Sequence, residues 1–200
     1  MLELRWPTLD DLDALAALAA DGVHDPAVQP FSFPWTDALP ADRARSTLQF
    51  HWSQWANWKP SHWSLGLVVV RDGEVVGTQG MGGRDFAVLR EVSTGSWVGR
   101  AFHGQGIGTL MRAAMLHLAF DGLGAQSAVS GAYTDNAASL AVSRKLGYAD
   151  DGIERHVVRG AVATLQRLRL NRATWQARLS IPVRIDGLND CLPEFGLPPR

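Results

Sequence analysis

Apolar and polar positions follow two rhythms along this chain. Ile107, Leu110, Met111, Ala114, Met115 and Leu118 recur at helical spacing and predict a helix ending near Asp121-Gly122. Leu9, Leu12, Leu15 and Leu18 repeat the pattern behind Pro7-Thr8, with Thr8 placed to cap, Asp11 three residues on and Gly22 as the stop. A third such helix opens at Asp135 or Asn136, both good caps, and runs to Leu146 before Gly147. Residues 42–58 and 171–179 also suit helices. Extended, strand-like runs fill much of the remainder: residues 2–6, 65–70, 74–80, 88–98, 126–132, 153–159 and 162–170. Asp72-Gly73 marks a hairpin, a glycine-containing turn around Met81 to Arg84 leads to the next strand, and Gly160 turns the last pair. A helix separates the strand ending at Val98 from that at 126–132, which predicts a parallel pair with a right-handed crossover.

Residues 24–40 fit neither rhythm. Pro26, Pro30, Pro34 and Pro40 break any long helix, yet Phe31-Ser32-Phe33-Pro34-Trp35 is too apolar for a solvated loop. Trp35, Trp52, Trp55, Trp58 and Trp63 follow closely. Trp52 and Trp55 share a helical face with Leu48, so ordinary core packing explains them. The alternative is that some of these rings, with Phe31, Phe33 and Trp35, wall a substrate pocket or a subunit interface.

Composition narrows the picture. The 200 residues, 46% apolar, suit one domain over residues 1–179, with a proline-rich tail at 180–200 that packs on the domain or on a partner subunit. A net charge of −1, from 19 basic and 20 acidic residues without like-charge blocks, points away from nucleic acid and from an electrostatic membrane anchor. The chain shows no signal-peptide pattern and no apolar run near the ~20 residues of a membrane span, so a cytoplasmic protein is expected. Cys191 stands alone, excluding an intramolecular disulfide, and lies far from any obvious base.

The chemistry centres on residues 93–112. Ser96-Trp97-Val98-Gly99 ends a strand, Arg100-Ala101-Phe102-His103-Gly104-Gln105-Gly106-Ile107-Gly108-Thr109 follows, and then comes the clearest helix. Glycines on alternate positions between strand and helix let the backbone approach a ligand with N–H groups free, which makes an anion site. A Walker loop needs Gly-Lys-Ser/Thr, which is absent. The dinucleotide fingerprint would end at Thr109 instead of a third glycine, and it should follow the first strand of a parallel βαβ unit, not an antiparallel meander.

Gly104-Gln105-Gly106-Ile107-Gly108 followed by Asn136-x-x-Ser139-x-x-x-Ser143-Arg144-Lys145-Leu146-Gly147-Tyr148 resembles the GNAT acyltransferase superfamily, and within it the RimJ/RimL-type branch. The likeness implies an α+β fold: a mixed, mostly antiparallel sheet of about seven strands flanked by helices, with one splayed parallel pair holding the coenzyme. It implies acetyl-CoA or another acyl-CoA such as succinyl-CoA as co-substrate, an amine acceptor, no metal, and a homodimer. The family's Gln/Arg at the head of the loop is His103 here, which touches a side-chain contact but not the backbone cradle of Gly104, Gln105, Gly106, Ile107, Gly108 and Thr109.

By the same resemblance, Trp97, Val98 and Gly99 offer main-chain groups to the pantetheine arm and thioester, with Asn136 and Arg144 on the coenzyme side. The family's helix tyrosine, which protonates the departing thiolate, falls at Ser143, and the branch's serine at Ser139, so Ser139 and Ser143 are the catalytic candidates. Asn136 also reads as a cap. The branch's glutamate falls near Val158, which leaves the base open among Glu91, Glu154, His156, Asp85 and His24, or water. Phe31, Phe33, Trp35 and Glu91 are the pocket candidates, and Arg43, Arg84 or Arg90 could meet a carboxylated acyl group. The lack of an evident base keeps a second class open, a non-catalytic coenzyme A-binding and protein-interaction module.

Overall fold

A β-meander opens the chain, broken once by a helical hairpin. The computed structural model describes residues 1–176 and 181–199. Strand β1 (Leu2–Arg5) leads into α1 (Leu9–Asp21), whose start is a full capping box: Asp11 N–H donates to Thr8 Oγ1 and Thr8 N–H to Asp11 Oδ2, each at 3.1 Å. Arg5 bonds the same carboxylate and is the main cause of its pKa lying below the usual range. Thr8→Ala should therefore lower the unfolding free energy by about 1 kcal/mol, read from the shift of a urea transition.

Helix α2 (Pro40–Ala56) packs on α1 and on strand β2 (His62–Arg71). Its buried face is Thr47 and His51, not the Trp52 and Leu48 face expected from spacing; Trp52 is 47% exposed. The reason lies in β2, where a Cβ on Gly66 would stand 2.4 Å from Gln54 Oε1 and 3.1 Å from the His51 ring. The glycine admits these longer polar side chains and fixes the helix rotation. Trp55 stacks on Trp6 at 5.3 Å, and Trp63 is fully buried against Phe86 and Phe195. The tryptophans thus divide between core and surface.

Strand β3 (Glu74–Arg84) extends through the segment predicted to turn. The chain then makes a short helical turn, α3 (Phe86–Leu89), before β4 (Glu91–Val98), so the strand expected from residue 88 starts three residues later. Asp85 and Arg90 flank the turn in the left-handed region, and Asp85 N–H donates to Ser61 O at 2.7 Å, seating Phe86 beneath Trp63. Helix α4 (Ile107–His117) runs into a wider turn at Leu118–Gly122 and returns as β5 (Ser127–Tyr133); α5 (Ala137–Leu146), β6 (Ala149–Val158) and β7 (Ala161–Asn171) follow. Helix α6 (Arg172–Gln176) starts the helix predicted for 171–179, of which 177–179 lie outside the described residues.

The result is one seven-stranded mixed sheet, order β1-β2-β3-β4-β5-β7-β6, with β4 and β5 its parallel pair, as expected. The largest core cluster lies between the sheet and α4, with Leu116, Ala119, Phe120, Val92 and Ala128 at its centre. The C-terminal segment closes one edge: Leu192, Phe195 and Leu197 are buried, and Trp58 Nε1 donates to Glu194 O at 2.9 Å.

Candidate active site

The parallel pair determines where chemistry can happen. Only Glu91, Val92 and Ser93 of β4 pair with Ser127, Ala128 and Val129 of β5; beyond them β4 stays with β3 while β5 stays with β7. A wedge opens between two strands whose inward main-chain groups lose their partners. Gly99 N–H donates to Val76 O at 2.9 Å, whereas the Thr94 carbonyl accepts from Ser130 Oγ at 3.3 Å. Alternation therefore turns the main-chain groups of Thr94, Ser96 and Val98 toward the wedge, and those of Trp97 and Gly99 toward β3.

At the open end of the wedge the glycine loop meets α4. Gly104 and Gly106 have φ of 75° and 77°, and a Cβ on either would meet nothing within 4 Å, so the loop's concave side is open. Among the described residues, the N–H groups of Gly104, Gln105, Gly106, Ile107 and Gly108 have no acceptor. They converge at the positive end of the α4 dipole, a cradle that fits a pyrophosphate. Thr109 N–H instead donates to Gly106 O at 3.1 Å. His103 turns back to the strand end, its Nε2 donating to Val98 O at 2.9 Å.

One basic residue at this cradle has no motif in the sequence. Arg71, at the β2–β3 turn, donates to Gln105 Oε1 at 2.5 Å and stands 40% exposed beside the loop. Its signal was its place at a hairpin tip, which speaks only once strand order is known. Arg144 lies exposed in the last turn of α5, while Asn136 caps that helix through Ser139 N–H at 3.1 Å.

The two serines differ. Ser139 is half-buried, and its hydroxyl has no partner among the described residues; Ser143 is fully buried, donating to Ser139 O at 3.0 Å and accepting from Arg112 Nη1 at 2.8 Å. Arg112 of α4, also within 3.4 Å of Ser96 Oγ, was missed from sequence. Its available signal was a cation in the stripe shared with Leu116 and Phe120, both core residues.

On the opposite face of the sheet, Phe31 and Trp35 join a ladder of rings, His24–Phe31–Trp35–Trp97, with centroids 5.4 to 5.8 Å apart. Trp97 thus links the 24–40 segment to the strand that ends in the glycine loop. Phe33, 73% exposed, is outside the ladder. The tip of the β6–β7 hairpin reaches this segment, Arg159 donating to Pro26 O at 2.9 Å and clamping Asp37. A cleft of about 390 Å³ lies here, lined by His24, Thr36, Arg43 and Arg100 among others. Arg43 already caps the carbonyls of Ala19 and Ala20.

Glu91 lines a second groove of about 390 Å³ with Ser93, Asp151, Glu154, Arg167 and Arg169. Burial by itself would raise its pKa, but the Ser127 hydroxyl and the Arg169 guanidinium outweigh this and hold it below the ordinary glutamate range. His156 lies between Tyr133 and Glu154 at 3.1 and 3.2 Å. Among the described residues no cluster of three His, Cys, Asp or Glu could hold a metal, and no helix is long and apolar enough to cross a membrane.

A splayed parallel pair leading into an N–H cradle at a helix start makes a site for an elongated ligand with an anionic end. The family comparison makes this specific: residues 1–149 match the acetyltransferase (GNAT) domain, and the chain belongs to that family of enzymes. Among solved structures, Mycobacterium smegmatis RimJ in complex with CoA-disulfide is 23% identical, covering 90% of this chain and 85% of its own, with a TM-score of 0.74. RimL, a ribosomal L7/L12 alpha-N-protein acetyltransferase in complex with coenzyme A, is 19% identical, covering 85% and 93%, with a TM-score of 0.66. A spermidine N-acetyltransferase SpeG chimera from Vibrio cholerae and hSSAT is 13% identical, covering 88% and 99%, with a TM-score of 0.69. At these identities the likeness is one of fold.

Proposed function

We propose that this protein is an acyl-CoA-dependent N-acyltransferase moving an acetyl group, or another short acyl group such as succinyl, to a primary amine of a small molecule or protein N-terminus. The carrying observation is the row of unpaired N–H groups from Gly104 to Gly108 continuous with the wedge between β4 and β5. In this reading the pyrophosphate rests on the cradle with Arg71 and Arg144 nearby, and the pantetheine arm lies in the wedge. Main-chain groups of β4 polarise the thioester carbonyl.

The acceptor enters from the face carrying Phe31, Trp35 and Trp97, and its neutral amine attacks the thioester directly in a ternary complex. An α-amine, titrating near 8, needs only a modest base. Glu91 is held ionised by its partners and is poorly placed to accept a proton, so His24, His156 or water is the better acceptor. The free hydroxyl of Ser139 suits a donor to the leaving sulfur, whereas Ser143 is committed to its own helix. Exposed rings such as Trp6 and Trp52 suit a homodimer contact, and a lone free cysteine suits the cytoplasm.

Calorimetry with acetyl-CoA and succinyl-CoA, then thiol release over a panel of amines and peptides, tests the reading. Saturable binding with turnover is expected. No binding at millimolar coenzyme would overturn it, and binding without turnover over the whole panel would favour an interaction module. Light scattering across a dilution series reads the dimer.

A further inference from the structure

Arg112 is 6% exposed, and none of the described salt bridges involves it. Its two terminal nitrogens donate to hydroxyls only, Ser143 on α5 and Ser96 on β4, and its buried Nε has no partner. Two neutral hydroxyls do not offset the desolvation of a guanidinium, and an apolar side chain in that stripe would cost less. The titratable group whose charge bears on it is Tyr148. Tyr148, which follows α5, is buried and bonded to Thr94 at 3.3 Å, its pKa raised by burial and opposed by Arg112. Arg144 and Lys145 of α5 are exposed. Burial pushes the pKa of Arg112 down, yet a guanidinium starts so high that it keeps its charge. A net positive charge without a counter-ion among the described residues therefore sits beneath the wedge, between Ser96, whose main chain faces that gap, and the helix carrying Ser139.

We propose that Arg112 is a positioning residue whose buried charge, held in place by Ser143 and relayed through the hydroxyl of Ser96, stabilises the thiolate of coenzyme A as it leaves. The inference rests on the acyltransferase reading above. In the step concerned the amine nitrogen forms the new bond to the acyl carbon, the carbon–sulfur bond breaks, and its electron pair goes to sulfur. The amine loses one proton to solvent or base, and the thiolate later takes one up, so amide and free thiol are the products. Arg112 exchanges no proton. The hydroxyl of Ser96 accepts from Arg112 and has its own hydrogen free to point at the sulfur. A fixed cation close by lowers a thiol pKa, which is the property to measure.

The test is a pH titration of the bound coenzyme thiol by its thiolate ultraviolet absorbance. The same complex with desulfo-coenzyme A serves as the blank, which also cancels exposed Cys191. The parent protein should show a thiol pKa at least a unit below that of free coenzyme A, about a tenfold larger thiolate fraction at a pH below both values. Arg112→Met should reverse most of this tenfold change, and Arg112→Lys should restore part of it, because lysine keeps the charge and loses the fork. A bound thiol in the parent protein that titrates like free coenzyme A overturns the inference, whether or not the variants fold. So does an Arg112→Met protein that lowers stability but leaves the thiol pKa unchanged. If coenzyme A fails to bind at all, the acyltransferase reading falls and takes this one with it; binding with an unshifted thiol overturns this one alone.

Discussion

Gly106→Val should bind coenzyme A about 30-fold more weakly than the parent while the rest of the fold stays cooperative. Gly106 caps α4 at φ 77°, ψ −1°, a left-handed conformation. An L-residue there costs about 1–2 kcal/mol, and a β-branched one sits at the upper end. The chain escapes that strain by rotating the flanking peptides, which withdraws N–H groups from the cradle. About 2 kcal/mol taken from binding is roughly a factor of 30 in Kd. Gly108 supplies the control. It lies inside α4, and a Cβ there would meet only Val142 Cγ2, at 3.9 Å. Gly108→Ala should keep affinity within a few-fold and leave the melting temperature equal or higher. Calorimetric titration of both variants, with thermal melts alongside, checks the pair. Equal losses at the two positions would mean that loop bulk, not left-handed geometry, governs the site.

The second large effect is an acid sensitivity away from the site. His51 is buried between α2 and β2, its Nδ1 is without a hydrogen-bond partner among the described residues, and burial lowers its pKa from 6.5 to about 4. The folded state therefore holds the ring neutral, while the unfolded chain takes up a proton below about 6.5. Stability from this group is complete above that value and falls as pH drops through 6.5 towards 4. Linkage puts the loss at about 2 kcal/mol by pH 5 and roughly 3 kcal/mol once both states are protonated. Urea transitions at pH 8 and pH 5 should show it, and His51→Met should flatten the difference between the two by about that amount. An unchanged difference would place the acid sensitivity elsewhere, in Asp11 or Glu91, whose paired carboxyls also lose stabilisation in acid.

Much of the fold was legible because its signals are local. The capping box at Thr8, the Asp72-Gly73 hairpin, the stripe from Ile107 and the Gly147 stop each depend on residues within a few positions of one another. Where local preference and tertiary contact disagreed, contact prevailed. Val88 and Leu89 are good strand residues, yet they close a helical turn because Phe86 must reach Trp63. The buried face of α2 follows from Gly66, a residue on another element.

The amino-acid sequence by itself determined most of the elements, their order, and a glycine loop at the start of α4, since backbone sterics and a 3.6-residue period act over short spans. Tertiary structure alone decided that β4 pairs with β5 for three residues and then parts from it, that Trp35 meets Trp97, that Arg71 reaches Gln105, and that Arg112 lies beneath the wedge between two serines. Each of these joins residues far apart in the chain through sheet register and the closing of long loops. Spacing along the sequence carries no record of such contacts, because burial and register select them only after the elements pack.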